Sequence, residues 1–476
     1  MMQDVPNQSH PSDFPASMWT PVYHIAPSFG LLNDPNGFCF YRGQYWLFFQ
    51  WNPSGCTHKN KHWGLLTSPD LCQWQQQMFR LAPEHWYDKD GCYSGTALVE
   101  GDNLSLFYTG NVRDGEQRES YQCQVSWQSD DQLLHYGPLW HQQLAGFTGH
   151  VRDPKVFDWN GQRYMWLAAQ SETLQGGVCV LRQQGNSWSR VGHFSRPIDW
   201  ADHQLGYMWE CPDRLVIGEQ TILVCCVQGI HVPWPYYQNQ NLSGYFAVTV
   251  AADTGAIEFK SDYQLLDYGF DFYAPQTCVD PDGQTILIGW MGLPDTPLPP
   301  TAIHHGWSQQ LTIPRICQWQ NGQLYQRPIP SLLAQAKNEQ CYQCETQPQF
   351  ACPASSVLSW QGTAEKGALT FGEGEPQWEM SWDEQGLITI NRHQLAGPGS
   401  ESIRCYQSFR KTIHSWQLFF DHSSFELFVN GGEAVLSGRM YPDSHWPVGN
   451  IQSTGQLTVQ SLGQFVQMLN KEDFGE

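Results

Sequence analysis

The chain has 476 residues, too many for a single hydrophobic core, so at least two domains are expected. Its formal charge is −21, from 25 Lys and Arg against 46 Asp and Glu, and no basic stripe is visible. This charge argues against nucleic acid as a partner and against an anionic polymer as a substrate, and it favours solubility.

The amino terminus, MMQDVPNQSHPSDFPASMW, has neither the basic segment nor the apolar segment of a secretory signal peptide. No run of about 18 apolar residues occurs, so no membrane partner is expected. The 15 cysteines are odd in number and scattered through predicted strands, which indicates reduced core thiols and a cytoplasmic protein. The CxxC at residues 341–344 is interpreted as incidental, because no second pair at metal-ligand spacing accompanies it.

The first strongly patterned stretch is residues 23–53, YHIAPSFGLLNDPNGFCFYRGQYWLFFQWNP. Its NDPNG pentapeptide, residues 33–37, combines turn-forming residues with one carboxylate, Asp34, and predicts a tight turn. The aromatic-rich run that follows is divided by Arg42 and Gly43, which predicts a β-hairpin. Such a pentapeptide on its own is more often only a loop.

From residue 38 to residue 318, apolar strands alternate with turns that contain Asn, Asp or Gly. This pattern predicts an all-β architecture. Hairpins recur at intervals of about 50–60 residues, a period typical of the blades of a β-propeller; a pair of stacked sandwiches is the alternative. The predicted bends lie at residues 42–43, 101–103, 160–161, 218–220 and 282–283.

The rest of the chain reads as a linker and a second, smaller β domain. Residues 319–350 are rich in Gln and predict a linker with one short helix at residues 331–337. The alternation FELFV at residues 425–429, followed by Asn-Gly-Gly, predicts a hairpin within a β-sandwich. The predicted organisation is an N-terminal extension (1–19), a five-bladed propeller (20–318), a linker (319–350) and a sandwich (351–476).

Two further carboxylates have the same setting as Asp34. Asp153 lies in HVRDPKVF, residues 150–157, and Glu210 lies in YMWECPD, residues 207–213. Corresponding positions of successive blades converge on the axis of a propeller, so these three acids are expected to share one funnel. Each is more often structural when taken singly, because Asp-Pro and Glu-Cys-Pro are ordinary turn sequences.

Together the three acids indicate glycoside cleavage, which needs one carboxylate as nucleophile or base and one carboxylic acid. Mutual repulsion in an aromatic pocket is expected to raise the pKa of the acid. Arg152, next to Asp153 in the sequence, is expected to keep Asp153 ionised.

In this order, NDPNG, RDP and WECP resemble the signature blocks of glycoside hydrolase family 32, the β-fructofuranosidases. The resemblance extends over nearly the whole chain and is specific as an ordered set. It implies a five-bladed propeller with an appended sandwich and a retaining mechanism. Its further blocks are FFQWNP (48–53), HWGLLTSPDLCQW (62–74), DGCYSGTAL (90–98), FDFYAPQT (270–277), IGWMG (288–292), HGWSQQLTIPR (305–315) and DHSSFELFVNGGEAVLSGRMYP (421–442).

The resemblance makes Asp34 the nucleophile and Glu210 the general acid/base, with Asp153 holding the fructosyl hydroxyls and stabilising the transition state. It also implies carboxyl groups about 5–5.5 Å apart. The implied substrate-binding residues are Asn33, Gln50, Trp63, Tyr93, Ser94, Arg152 and Trp290.

The binding roles of two of these residues are open, and so is the effect of one difference from the usual family sequence. Core packing explains Trp63 and Trp290 nearly as well as sugar binding does. Leu31 and Leu32 stand where the family usually has Trp-Met, which removes an aromatic wall and leaves the affinity and the preferred aglycone open.

Sucrose or sucrose 6-phosphate is the expected substrate, because polymer-cleaving relatives are usually exported. The segment HKNKH, residues 58–62, is basic and lies near the expected mouth of the funnel. Lys59 and Lys61 are therefore hypothesised to bind a substrate phosphate, with a solvated loop as the equally weighted alternative.

Rival functions use the same residues. A fructosyltransferase or a fructan-cleaving exo-hydrolase would carry the same three acids, and an inactive carbohydrate-binding protein is the non-enzyme alternative, disfavoured because all three acids are present. The sequence contains neither HExxH nor GxSxG, so no metal, other cofactor or serine nucleophile is expected. The expected partner is a small sugar, and the oligomeric state is open, with a homo-oligomer among the expected states.

Overall fold

The computed structural model describes residues 18–115, 117–129, 132–141, 143–195, 197–198, 203–230, 238–251, 253–372, 377–397 and 400–474. The predicted N-terminal extension lies outside the described residues except for its last two positions. The described part is almost entirely β-structure, so the predicted all-β class is confirmed. No helix in this part is both long and apolar enough to cross a membrane.

Antiparallel sheets follow one another from residue 30 onward, each built mainly from consecutive strands. The first contains β1 (Gly30–Tyr41), β2 (Gln44–Asn52), β3 (His62–Ser68) and β4 (Trp74–Leu81). The second contains β5 (Cys92–Glu100), β6 (Asn103–Asp114), β7 (Gln117–Ser129) and β8 (Gln132–Pro138). The third contains β9 (Phe147–Trp159), β10 (Gln162–Ser171), β11 (Gly176–Gln184) and β12 (Ser187–Phe194).

Two more sheets complete this half, after the short pair β13 (Pro197–Ile198) and β14 (His203–Gln204). The fourth contains β15 (Met208–Ile217), β16 (Gln220–Gln228), β17 (Leu242–Val250), β18 (Ile257–Phe259) and β19 (Gln264–Leu265). The fifth begins with β20 (Tyr273–Val279) and β21 (Thr285–Met291). After α1 (Pro300–His304) and β22 (Trp307–Ser308), it continues with β23 (Gln310–Leu311), β24 (Arg315–Gln320) and β25 (Gln323–Pro328). β22 pairs in parallel with β1, so the end of this half returns to its beginning.

The first strand of each sheet lies on the inside of a ring. β1 packs against β5, β5 against β9, β9 against β15, β15 against β20, and β20 against β1. This closed arrangement of radial sheets is a β-propeller, as the sequence predicts. Five sheets of the described part each supply one inner strand to this ring.

The inner hairpins bend where the sequence predicts them. In each sheet the first strand ends and the second begins at a predicted bend, for example between Tyr41 and Gln44. There Arg42 and Gly43 have φ of 50° and 78°, the left-handed values of a tight two-residue hairpin turn. The predicted turn at residues 33–37 is wrong, because these residues lie inside β1.

After α2 (Pro330–Ala334), the chain forms two six-stranded antiparallel sheets. Their strands are β26 (Lys337–Gln343), β27 (Gln349–Ala351), β28 (Ser355–Gln361), β29 (Gly367–Phe371), β30 (Trp378–Trp382), β31 (Leu387–Asn391), β32 (Ile403–Gln407), β33 (Ser415–Asp421), β34 (Ser424–Val429), β35 (Ala434–Arg439), β36 (Val448–Gln452) and β37 (Gln456–Ser461). The sheet orders are β26-β37-β28-β33-β34-β35 and β27-β36-β29-β30-β31-β32. Side chains of both sheets bury each other in one apolar cluster, which makes this half a sandwich. β38 (Val466–Gln467) then pairs with β4, and a 3-10 helix at Lys471–Phe474 follows.

Strands fill much of the segment predicted as a linker. The fifth propeller sheet continues to Pro328, and β26 already pairs within the sandwich. The short helix predicted at residues 331–337 is present as α2, one residue earlier and shorter. All 15 cysteines are free thiols, including Cys341 and Cys344 of the CxxC.

A group of buried charges joins the two halves, and we call it the interdomain network: His24, Asp267, Arg315, Asp421 and Glu426. His24 Nδ1 lies 2.9 Å from Asp421 Oδ2, and His24 Nε2 lies 3.0 Å from Glu426 Oε1. Arg315 donates to Glu426 at 2.5 Å and to Asp267 at 3.1 Å. The sandwich is therefore held on the propeller by paired charges as well as by a shared apolar cluster.

Candidate active site

The three predicted acids, which we call the acid cluster (Asp34, Asp153 and Glu210), lie at irregularities of the inner strands and not on turns. Register shifts interrupt β1 around Asp34, β9 around Asp153 and β15 immediately after Glu210. An extra residue in one strand of a pair bends that strand and changes the direction of its side chains. The bulges therefore allow three strands of one ring to aim carboxylates at the same point.

Proline recurs at these bulges. The dipeptides at residues 34–35, 153–154, 211–212 and 274–275 all end in proline and lie in inner strands. Proline has no N–H to give to a ladder, so inside a sheet it is confined to edges and bulges. Asp153, Cys211 and Ala274 precede three of these prolines and have φ of 61°, 47° and 46°. Such values are uncommon outside glycine and are typical of functional sites.

Asp34 is held through both of its carboxylate oxygens. Asn33 Nδ2 donates to Oδ1 at 2.8 Å, and Ser94 Oγ donates to Oδ2 at 2.5 Å. Gln50 links these two donors, because its Nε2 donates to Ser94 Oγ at 2.8 Å and its Oε1 accepts from Asn33 at 3.1 Å. Lys61 Nζ donates to Asn33 Oδ1. The carboxylate is thus fixed in orientation.

Glu210 is surrounded by donors. Arg152 donates to Oε1 through Nε at 2.9 Å and through Nη2 at 2.5 Å. Tyr273 Oη and Gln228 Nε2 donate to Oε2 at 2.8 and 2.6 Å. Burial by itself would raise the pKa of Glu210, but Arg152 and these hydrogen bonds lower it below its usual value. The free site therefore holds Glu210 as a carboxylate ion.

Asp153 approaches Asp34 through Cys211, the residue that follows Glu210 in the chain. The Cys211 N–H donates to Asp153 Oδ2 at 3.0 Å. Cys211 Sγ lies 3.7 Å from Asp153 Oδ2 and 3.9 Å from Asp34 Oδ2. Burial raises the pKa of Asp153 to about 7, with Arg152 opposing and Glu210 adding to the rise. Burial also raises the pKa of Asp34. Cys211 thus contacts both Asp153 and Asp34.

Arg152 opposes the rise in the Asp153 pKa, as expected, but it makes its hydrogen bonds to Glu210 and not to its sequence neighbour. Arg152 Nε is 4.0 Å from Asp153, whereas Arg152 Nη2 is 2.5 Å from Glu210. The bulge at Asp153 lets the guanidinium reach across from β9 to β15. Burial outweighs Arg152 at Asp153 and raises its pKa, whereas Arg152 and hydrogen bonds outweigh burial at Glu210 and lower its pKa. Both shifts are opposite to the expected directions.

The remaining predicted binding residues separate into two groups. Asn33, Gln50, Ser94 and Arg152 belong to the hydrogen-bonded site described above, and Tyr93 lies beside it, adjoining Ser94 in β5. Trp63 is fully buried and donates to the Tyr93 carbonyl oxygen at 3.1 Å, which is a core position.

Trp290 is also buried, with its ring centroid 6.2 Å from Tyr273 and 5.5 Å from His58. Its Nε1 has no hydrogen-bond partner among the described residues. Leu31 and Leu32, which replace the usual Trp-Met, are fully buried, and Leu32 belongs to the central apolar cluster.

The two lysines predicted to bind phosphate differ in their surroundings. Lys59 is exposed. Lys61 is buried, and besides its bond to Asn33 its Nζ lies 3.3 Å from His58 Nδ1. Burial lowers the pKa of Lys61 to about 7, and Asp34 opposes this change. Lys61 thus lies within the hydrogen-bond network of Asp34 and not on the surface.

Three residues of the site are not assigned by the sequence analysis: Cys211, Gln228 and Tyr273. Tyr273 lies in the conspicuous block FDFYAPQT, and the recurrent X-Pro dipeptides mark its strand as an inner one. Gln228, at the end of β16, carries no such signal. No group of three or more His, Cys, Asp or Glu side chains within the described ranges is placed to hold a metal ion.

Comparison with known proteins gives consistent results for both halves. The family model for the glycosyl hydrolases family 32 N-terminal domain matches residues 24–328, and that for the family 32 C-terminal region matches residues 342–464. Sucrose-6-phosphate hydrolases of Salmonella typhimurium and Bacillus subtilis (strain 168) are each 37% identical to this chain, over 93% and 92% of it and over 91% of their own lengths. 

Solved structures are similar over almost their full lengths. The sucrose-6-phosphate hydrolase of Lactobacillus gasseri has a TM-score of 0.86 and 27% identity, covering 96% of this chain and 95% of its own. A family 32 β-fructofuranosidase of Bombyx mori has a TM-score of 0.82 and 28% identity, covering 94% of this chain and 95% of its own.

Proposed function

This chain belongs to glycoside hydrolase family 32, and from that premise we propose that it is a retaining β-fructofuranosidase that hydrolyses sucrose, sucrose 6-phosphate or both. The observation that carries the proposal is the convergence of Asp34, Asp153 and Glu210 from three inner strands. The sucrose-6-phosphate hydrolases among the relatives support this substrate class, as does a Bombyx mori β-fructofuranosidase variant solved in complex with sucrose.

In the first half-reaction, Asp34 attacks the anomeric carbon of the fructosyl group. Asn33 and Ser94 fix the carboxylate so that an oxygen faces the sugar, which pre-orders the reacting atoms. The bond to the glycosidic oxygen breaks as a covalent fructosyl-enzyme forms. Asp153, 7% exposed at its side chain, is the group that accepts hydrogen bonds from the fructosyl hydroxyls.

Glu210 supplies the proton that the departing glucosyl oxygen takes. Its low pKa in the free site means that it must gain this proton as substrate binds. Desolvation by the sugar and a shift of Arg152 from Glu210 to a substrate oxygen would both raise the Glu210 pKa. In the second half-reaction Glu210, now ionised, removes a proton from water, and the hydroxide oxygen displaces Asp34 to release fructose.

The test is product analysis with purified protein. Sucrose, sucrose 6-phosphate, raffinose and a short fructan are incubated with wild type, and released fructose is quantified. Asp34→Asn is expected to release none, whereas Asp282→Asn, the same change on an exposed hairpin turn, is expected to behave as wild type. Oligofructosides at high sucrose would instead indicate a fructosyltransferase. Wild type that releases nothing, or Asp34→Asn at full rate, would refute the proposal.

The retaining outcome has its own measurement. NMR of the first product formed is expected to show fructose with the configuration of the substrate. The separation of the Asp34 and Glu210 carboxyl groups remains a prediction of about 5–5.5 Å, the value for retaining glycosidases.

We also propose a cytoplasmic location. The support for this location is that all 15 cysteines are free thiols, since an oxidising compartment favours their conversion to disulfides.

A further inference from the structure

One arginine near the acid cluster has two buried nitrogen atoms that meet no acceptor among the described residues. Arg118 lies on β7, and its Nε and Nη2 atoms are buried and have no hydrogen-bond partner among the residues that the structure describes. Two buried cationic N–H groups without an acceptor are costly unless a ligand meets them. Arg118 is therefore placed to receive an anion.

The surroundings of Arg118 place it at the sugar site. Its guanidinium carbon lies 5.0 Å from the centroid of Tyr93, the neighbour of Ser94 in β5. Its positive charge acts on Glu210 and helps to lower the pKa of that carboxyl. Because Glu210 faces the leaving oxygen in the proposed reaction, this electrostatic effect favours the glucosyl side of the site for Arg118.

Further cations accompany Arg118. Arg113 is its cross-strand partner in β6 and is exposed. Arg152 Nη1 lies 2.9 Å from His150 Nδ1. Burial and the charges of Arg152 and Arg113 lower the pKa of Arg118 to about 10, so the guanidinium stays protonated at neutral pH. In a chain with a formal charge of −21, three arginines thus lie close enough to influence one another.

We propose that Arg118, assisted by Arg113, binds the phosphate of sucrose 6-phosphate on the glucosyl side of the site and so sets the preference of the enzyme for the phosphorylated sugar. This inference rests on the proposed function. The planar fork of a guanidinium presents two parallel N–H groups that match two phosphate oxygens. A dianionic substrate otherwise meets net repulsion from the acidic protein. Lys61, buried against Asn33, is already engaged near Asp34, which leaves Arg118 as the better phosphate ligand.

The test compares two substrates on the same enzymes. The measured quantity is the ratio of kcat/KM for sucrose 6-phosphate to kcat/KM for sucrose. Arg118→Met, similar in shape but uncharged, is expected to lower this ratio by about 10- to 100-fold, the value of a lost charge-assisted hydrogen bond. Arg118→Lys is expected to recover part of it, because lysine binds phosphate as a point charge.

The matched control is Arg163→Met. It removes an arginine of equal charge that is paired with Asp158 at 2.8 Å, on the hairpin that joins β9 to β10. Its ratio is expected to equal that of wild type. An unchanged ratio in Arg118→Met would overturn the inference, and so would a collapse of the ratio in Lys59→Met but not in Arg118→Met.

Calorimetry separates this inference from the proposed function. Glucose 6-phosphate is expected to bind wild type and to bind Arg118→Met at least about tenfold more weakly, since the lost contact is charge-assisted. If wild type cleaves neither sugar, the proposed function fails, and the titration still decides whether Arg118 holds a sugar phosphate. Equal binding by wild type and Arg118→Met would refute the phosphate site.

Discussion

The acid cluster and the interdomain network are both buried groups of charge, but they differ in how completely their hydrogen bonds are made. In the interdomain network, Arg315 donates through Nε, Nη1 and Nη2, and both ring nitrogens of His24 face carboxylates. Around the acid cluster, Arg118 and Trp290 keep buried N–H groups without partners among the described residues. The donors of Arg315 and His24 thus meet acceptors within the interdomain network, whereas Arg118 and Trp290 have N–H groups that a ligand could pair.

The pKa shifts also differ between particular carboxyl groups of the two regions. Burial would raise the pKa values of Asp421 and Glu426, but His24 lowers that of Asp421, and Arg315 and His24 lower that of Glu426. Burial prevails at Asp34 and Asp153 in the acid cluster and raises their pKa values, and it also prevails at Asp267 in the interdomain network. Negative charge thus stabilises the fold at Asp421 and Glu426 and opposes it at Asp34, as expected where function takes precedence over stability.

The same substitution in both regions is the strongest test of this difference. Asp34→Asn is expected to lower kcat for sucrose by about 10⁴-fold or more, because it removes the nucleophile. Its thermal midpoint is expected to equal or exceed that of wild type, because an unfavourable buried charge is lost. Kinetics and thermal unfolding of the purified variant check both parts. A clear loss of stability would show that Asp34 also supports the fold.

Asp421→Asn is expected to have the opposite profile. Asp421 accepts from the backbone N–H groups of Val22, Tyr23 and His24, each at 2.9 Å, and pairs with the His24 ring. Breaking a buried ion pair from one side costs about 3 kcal/mol or more, so urea unfolding is expected at much lower concentrations. The kcat of the folded fraction is expected to match wild type. A large fall in kcat without destabilisation would contradict the comparison.

Much of the propeller could be predicted because its signals are local. Two-residue turns such as Arg42-Gly43 fix a hairpin wherever apolar strands flank them. The same reasoning wrongly predicts a turn at the NDPNG segment. There the pairing of β1 with β2 across the bulge outweighs the local preference of these residues for a turn. The predicted end of the propeller at residue 318 is too early for a related reason. Strands β24 and β25 complete the fifth propeller sheet, and their Gln-rich composition does not reveal them as strands.

The sequence predicts which acids form the candidate site, but it does not predict which side chains the nearby cations contact. The three carboxylates follow from their sequence blocks, but Arg152 meets a partner 58 positions away instead of its neighbour. Lys61 looks like a surface charge in HKNKH and is instead buried against Asn33. Contacts of this kind depend on how inner strands from different sheets face each other, which a single sequence does not encode locally.

Arg152→Gln probes how strongly the site keeps Glu210 ionised. Bond cleavage needs Glu210 protonated, and kcat/KM reports the ionisation of the free enzyme, so kcat/KM falls as pH rises through the Glu210 pKa. Because Arg152 lowers that pKa, its removal is expected to move the alkaline limb of kcat/KM upward by about one pH unit, with a lower maximum. Arg152→Lys keeps a charge and is expected to shift the limb less. An alkaline limb that stays in place in both variants would assign it to another group.

The smallest expected effect is a pH dependence of stability that arises in the interdomain network. Burial would lower the pKa of His24, but its hydrogen bonds with Asp421 and Glu426 raise it to about 9 from an ordinary value of 6.5. A raised pKa in the folded state stabilises the fold fully below the unfolded value, and this contribution is lost as pH rises toward 9. Unfolding at pH 7.5–8.5 therefore releases nearly one proton from His24, and stability falls by at most about 1.4 kcal/mol per pH unit from this group.

His24→Gln isolates that contribution, because other groups titrate equally in both proteins. The variant is expected to be less stable at pH 7 and to approach wild type as pH rises toward 9, measured by urea unfolding at matched ionic strength. Its kcat at neutral pH is expected to follow only the fraction folded, since His24 contacts the sandwich residues Asp421 and Glu426 and not the acid cluster. Parallel stability curves for the two proteins would mean that His24 is neutral in the fold, and Arg315 would then be the one cation of the interdomain network.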